Sequence, residues 1–180
     1  GIACASLYLR KKLIFYGYLT PNKILETRLY HPKIFPYVLN KNDNQNNKQK
    51  FYFSPEILAN KDQYKISASD DVYSFAMIVY FIMTGEDPFA NEMKQKSNEE
   101  LINEIKQGKR PNFEKPIPYV YQRLIEKCWE SNPQKRLSFY KIIDILKNDQ
   151  RFITDTIDAL EYKQYIELIF IFISLRFGVM

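Results

Sequence analysis

Side chains able to do acid–base, nucleophilic or metal chemistry are unevenly spread along this 180-residue chain. Ahead of Asp43, the first aspartate, the only carboxylate side chain is Glu26. His31 is the single histidine, and neither it nor the two cysteines, Cys4 and Cys128, falls in an HExxH or CxxC pattern. A zinc site needs three or four such ligands at short spacing, so His31 is read as an ordinary polar side chain. Phosphate cradles need clustered glycines that let backbone amides approach the anion. Gly1, Gly17, Gly85, Gly108 and Gly178 stand far apart, with no GxGxxG, no GxxxxGK[ST] and no GxSxG elbow. No cofactor or metal site is expected from these residues.

The surrounding composition is that of an ordinary globular domain. Hydrophobic residues at 46% and charged residues at 26% fit a soluble fold. The chain is long enough for one domain with a sizeable core. Its 14 tyrosines and 13 phenylalanines predict an aromatic-rich interior. The net charge of +5 comes largely from lysines in polar stretches. That predicts a solvated surface rather than contact with nucleic acid or membrane, and no RNA-binding or zinc-finger pattern argues otherwise. Two cysteines are too few for a disulfide framework and imply a reducing, cytoplasmic setting. The opening "GIACASLYL" is no secretory leader and reads as a fragment beginning inside an apolar helix. The run "LIFIFISL", residues 168–175, is too short to cross a bilayer, which takes ~20 apolar residues. It predicts a packed helix or strand, or an aggregation-prone tail, and no transmembrane segment.

The elements that must position any site follow from periodicity. Ile2, Ala5, Leu9, Leu13 and Ile14 predict a buried helix over residues 1–15. Pro21, Pro32 and Pro36 punctuate a loop with short extended pieces over 16–39. Residues 40–50, "NKNDNQNNKQK", hold no apolar side chain and predict a mobile polar loop. From residue 66, Ser and Asp capping candidates open a helix that is apolar all round and ends at Gly85, the signature of a central element. Ser97 and Glu100 form a capping-box pattern before Leu101, Ile102 and Ile105, with Gly108 as the stop. Pro118 suits the first turn of a helix reaching Trp129. Ser138 caps "FYKIIDIL", and a last helical stretch is expected over 150–170. The fold class is mainly α.

Three motifs then carry a family resemblance. "SPEIL" at 54–58, "SDDVYSFAMIVYFIMTGEDPF" at 69–89 and "CWESNPQKRLSF" at 128–139, which holds Trp129, stand in the order found in protein kinases. The chain resembles the helical carboxy-terminal lobe of a protein kinase domain, with the flavour of the tyrosine-kinase-like group. The resemblance runs over residues 1–147, helix E to helix I of that lobe, with 40–50 as the polar loop of the activation segment. Residues 148–180 form a helical and apolar tail. The amino-terminal β lobe of the family is absent from the sequence. Glu56 matches the glutamate of Ala-Pro-Glu, and the resemblance implies that it pairs with Arg136, anchoring the end of the activation segment. Asp71 matches the aspartate that opens helix F and holds the catalytic loop by its backbone amides.

The catalytic positions differ. "YGYLTPNKIL", residues 16–25, matches the family's catalytic loop on Leu19, Pro21, Ile24 and Leu25. His-Arg-Asp then falls on Tyr16, Gly17 and Tyr18, and the metal-binding asparagine on Lys23. A one-residue shift puts Asn22 there instead. Asp-Phe-Gly falls on Pro36, Tyr37 and Val38. Kinase catalysis is positioning plus charge neutralisation by magnesium. A phenol is neutral at pH 7, lysine has no lone pair for a metal, and proline has no side-chain oxygen. The family's ATP and magnesium therefore have no binding residues here. The expectation is a catalytically inactive pseudokinase fragment that acts through protein partners in signalling. Two alternatives remain: an active ATP-dependent Ser/Thr or Tyr protein kinase in a longer form, by atypical chemistry using Glu26, or a non-functional remnant or truncated gene model.

Overall fold

The structure, a computed structural model, describes residues 1–25, 32–34, 47–60, 63–155 and 157–177. In chain order these form α1 (Ile2–Lys11), β1 (Ile24–Leu25), β2 (Lys33–Ile34), α2 (Pro55–Ala59), α3 (Ala68–Thr84), α4 (Asn98–Lys106), α5 (Tyr119–Cys128), α6 (Phe139–Asn148) and α7 (Ala159–Phe177). The two strands pair antiparallel, Ile24 opposite Ile34 and Leu25 opposite Lys33. The fold is mainly α, the helical lobe that the motifs imply.

The helix α3 is the axis of the lobe. Most of its residues are buried, including both aspartates of its first turn. It ends where Gly85 takes a left-handed conformation at φ 71°, which a side chain would disfavour. The helices α5 and α1 pack along it, and α6 packs on α1. The interior is aromatic, as the composition predicts. Phe75 of α3 meets Phe139 of α6 edge-on at 5.8 Å. Trp129 lies 5.5 Å from Phe113 and 6.3 Å from Tyr80. Edge-on and offset arrangements of this kind suit the ring quadrupoles. The expected capping box at the start of α4 is present: Glu100 accepts from the Ser97 amide at 2.9 Å. Ser138 caps α6 by accepting from the Lys141 amide.

Several local expectations need correction. The helix α1 stops at Lys11 rather than 15, and Leu13 turns left-handed at φ 57°. Its buried face is Ala3, Ser6 and Leu7, whereas Leu13 is 81% exposed. An apolar stripe fixes a helix face only while the helix continues, and here the chain turns to enter the 16–25 loop. Pro118 is the N-cap of α5, one position outside its first turn. Residues 47–50 of the polar loop belong to a 3-10 helix running to Tyr52, because the apolar Phe51 and Tyr52 that follow are buried and tether it. Residues 40–46 lie outside the described part. The last helix begins at Ala159, not 150.

The stretch before it is packed. Phe152 is buried, 5.0 Å from Tyr121 in an edge-on pair, and its carbonyl accepts from the Tyr121 hydroxyl at 3.0 Å. Further on, the Tyr162 hydroxyl donates to the Leu146 carbonyl at 2.5 Å. Leu168 and Ile171 of the apolar run are exposed on α7, and no helix of the described residues is long and apolar enough to cross a membrane. Phe152→Ala should destabilise the fold by ~3–5 kcal/mol, the usual cost of emptying a buried phenylalanine site. Urea unfolding monitored by circular dichroism measures it, and a loss below ~1 kcal/mol would mean that residue 152 is not part of the core.

Candidate functional site

Two carboxylates stand on consecutive residues at the start of α3. Neighbours on a helix project about 100° apart, so Asp70 and Asp71 reach different parts of the chain. Asp71 Oδ2 accepts from the Tyr16 amide at 3.0 Å and Oδ1 from the Gly17 amide at 2.6 Å. Asp71 thereby grips the backbone of the 16–25 loop. Burial pushes its carboxyl up to about 6, opposed by those two amides.

The loop is shaped around that grip. Gly17 is left-handed at φ +68°, and a Cβ there would lie 2.6 Å from Ile66 Cγ2. Glycine is required on both counts, conformational and steric. Beyond it, Tyr18 sets its ring edge-on to Phe53 at 4.9 Å and 82°. Leu19 and Thr20 are buried, and the Thr20 hydroxyl donates to the Asn22 side-chain oxygen. Lys23, at the end of the Pro21–Lys23 3-10 turn, is only 8% exposed. Tyr18 and Lys23 thus sit in the loop that Asp71 holds. Pro36 lies outside the described residues, as do Glu26 and His31.

The second anchor joins α2 to the segment before α6. Arg136 Nη2 donates to both Glu56 carboxylate oxygens, at 2.8 and 3.0 Å. One nitrogen serves both oxygens, so the pair is not the parallel two-nitrogen fork. The other guanidinium nitrogens are used elsewhere: Nε donates to the Glu130 carbonyl at 2.8 Å and Nη1 to the Ser69 carbonyl at 3.1 Å. The Arg136 side chain has no exposed surface, and Glu56 keeps 20%. Trp129 is buried, and its carbonyl accepts from Arg110 Nε at 2.8 Å.

Sequence reasoning missed three participants. Tyr73 is fully buried, with the guanidinium carbons of Arg110 and Arg136 each 5.1 Å from its ring. Stacked cations on an aromatic face are attracted by its quadrupole. Asp70 was legible only as a capping candidate. Its Oδ1 accepts from the buried Ser54 hydroxyl at 2.5 Å, and its Oδ2 from the Ser67 amide at 2.8 Å. The doubled aspartate after Ser69 was the available signal. Arg110 gave none, since residues apart in sequence meet only in the fold.

The comparisons with known proteins agree with this frame. The profile of the family "Protein tyrosine and serine/threonine kinase" matches residues 2–146, and the chain belongs to that family. It is 28% identical over 153 residues to the RGS domain-containing serine/threonine-protein kinase A of Dictyostelium discoideum, covering 82% of this chain and 13% of that protein. It is 35% identical over 98 residues to the probable serine/threonine-protein kinase roco11 of the same organism, 54% of this chain and 6% of that one. Against serine/threonine-protein kinase VIK of Arabidopsis thaliana it is 36% identical over 97 residues, 53% and 20% of the respective chains. The chain therefore spans at most about a fifth of the length of these curated relatives.

Glu56→Ala should cost ~3–5 kcal/mol in urea unfolding, because the buried Arg136 charge is left without its carboxylate; a neutral effect would remove the pair from the framework. Asp71 also gives the fold a pH dependence. Its native pKa of about 6 lies above the ordinary 3.8, so the native state holds the extra proton between these values. The stability this adds is present below pH 4 and lost as pH rises through 6. The penalty of Asp71→Asn should therefore be larger at pH 4.5 than at pH 7, by on the order of 2 kcal/mol. Paired unfolding curves at the two pH values test this, and an equal or smaller penalty at pH 4.5 contradicts it.

Proposed function

We propose that this chain is the helical lobe of a pseudokinase of the tyrosine-kinase-like group, acting through protein contacts in intracellular signalling. Residues 1–147 form the lobe and 148–180 its tail. One contrast carries the reading. The framework contacts of Glu56, Asp71 and Arg136 are made, while the positions matched to catalytic and metal-binding residues hold Tyr18 and Lys23.

The family normally uses ATP and magnesium. The residues here do not fit that pair. A phenol packed edge-on against Phe53 offers no carboxylate to orient a hydroxyl nucleophile. A buried ammonium at Lys23 repels a divalent cation instead of ligating it. Restoring the family triplet by substitution also meets a steric bar, since any side chain at Gly17 runs into Ile66. The relatives carry kinase names for whole proteins several times longer than this chain. Their activity does not transfer to a segment lacking these groups.

Magnesium-ATP should leave the melting temperature of the protein unchanged, with no phosphate transferred from labelled ATP to serine, threonine or tyrosine peptides. A rise of several degrees accompanied by transfer overturns the proposal. In that event Glu26→Gln separates the remaining chemistry, as Glu26 is the only carboxylate in the first 42 residues.

A further inference from the structure

Residues 52, 54 and 56 alternate along the segment that enters α2, and each is tied to a different element. Glu56 reaches Arg136, as described. The other two ties are hydroxyl to carboxylate. The Tyr52 hydroxyl donates to Asp87 Oδ1 at 2.9 Å, in the turn after α3. The Ser54 hydroxyl donates to Asp70 Oδ1 at 2.5 Å, on the first turn of α3.

Both residues are buried, with the Ser54–Asp70 bond fully buried and the Tyr52–Asp87 bond partly so. Ser54 has no exposed surface and Tyr52 keeps 3%. Asp70 has none either, and its oxygens are saturated by donors: Ser54 and Tyr64 hydroxyls on Oδ1, the Ser67 amide and hydroxyl on Oδ2. A buried carboxylate is tolerated only when so supplied. The Asp87 turn is held from the same side, with Phe51 against Phe89 at 6.1 Å and Phe89 itself left-handed at φ 63°. An alanine at 54, the residue in the family's Ala-Pro-Glu signature, would have no hydroxyl to give Asp70, so this tie depends on the serine.

We propose that the Tyr52–Asp87 and Ser54–Asp70 hydrogen bonds are a phosphate-independent latch that keeps residues 52–56 docked on the lobe and bars both hydroxyls from phosphorylation. The bar is electrostatic as well as steric. A phosphoryl group on either oxygen would replace a donated proton with a dianion facing a carboxylate. In Ser54 it would do so with no water to screen the repulsion. The segment therefore needs no covalent signal to take its docked shape, and this holds whether or not the lobe is catalytic.

The test uses the full chain made in bacteria and treated with phosphatase. Active serine/threonine and tyrosine kinases are selected by their ability to phosphorylate a synthetic peptide of residues 47–60. On the folded chain they should leave Tyr52 and Ser54 unmodified by mass spectrometry, while modifying both residues in the synthetic peptide under the same conditions. In the same protein, amide exchange over 51–59 should be slow without any phosphate. The double variant Y52F/S54A should exchange about ten-fold faster there, with α5 unchanged. Phosphate on either residue of the folded chain, or wild-type exchange in the double variant, overturns the latch. If the variant does not fold, the phosphorylation result on the unmodified chain still decides.

Discussion

A carboxylate buried at the end of a buried helix has to be met by donors, and at the start of α3 there are two. Asp70 and Asp71 lie side by side with little or no exposed surface. Helix geometry sends them apart, so each must draw its donors from a different stretch of chain. Asp71 takes the backbone amides of residues 16 and 17, and Asp70 takes the hydroxyl of Ser54. The loop that precedes β1 and the segment that precedes α2 are thereby seated on one helix turn. Arg136 closes the arrangement, donating to the carbonyl of Ser69 on that turn and to Glu56 beyond it. A fully buried guanidinium with an unmet donor would be expensive, which makes these contacts interdependent.

That dependence explains why framework and chemistry can part company. The anchors act on backbone amides, a serine hydroxyl and one ion pair. None of them requires a carboxylate at position 18 or an amide at 23. Tyr18 contributes its ring to Phe53 instead, and Lys23 is accommodated with most of its surface covered. Gly17 goes further, since the loop now follows a path in which its Cβ position is filled by Ile66. The proposed loss of catalysis and the proposed latch both rest on this. A lobe held by its own buried polar contacts keeps its shape without nucleotide or phosphate.

Much of the arrangement was legible beforehand. The apolar run from Val72 to Met83 bounded by Gly85 marked the central helix, and Ser97 with Glu100 marked the next. Glu56, Asp71 and Arg136 were legible through motifs rather than through periodicity. The pair of Glu56 with Arg136 uses one guanidinium nitrogen, because Nε and Nη1 are drawn to the carbonyls of Glu130 and Ser69. Element ends were the weak point. The stripe through Leu13 and Ile14 suggested a helix that the chain abandons at Lys11.

By itself the sequence determined the mainly α class, the central helix with its Gly85 stop, the Ser97 and Ser138 caps, and the absence of glycine-rich and paired metal-ligand motifs. These are local properties, set by side-chain period and by which residues satisfy a helix end. Only the tertiary structure decided the role of Asp70, the stacking of Arg110 and Arg136 on Tyr73, and the burial of Ser54 and Lys23. Each depends on residues far apart in sequence sharing one desolvated site. Periodicity says which face of an element is apolar, but not which polar groups from elsewhere will be buried beside it.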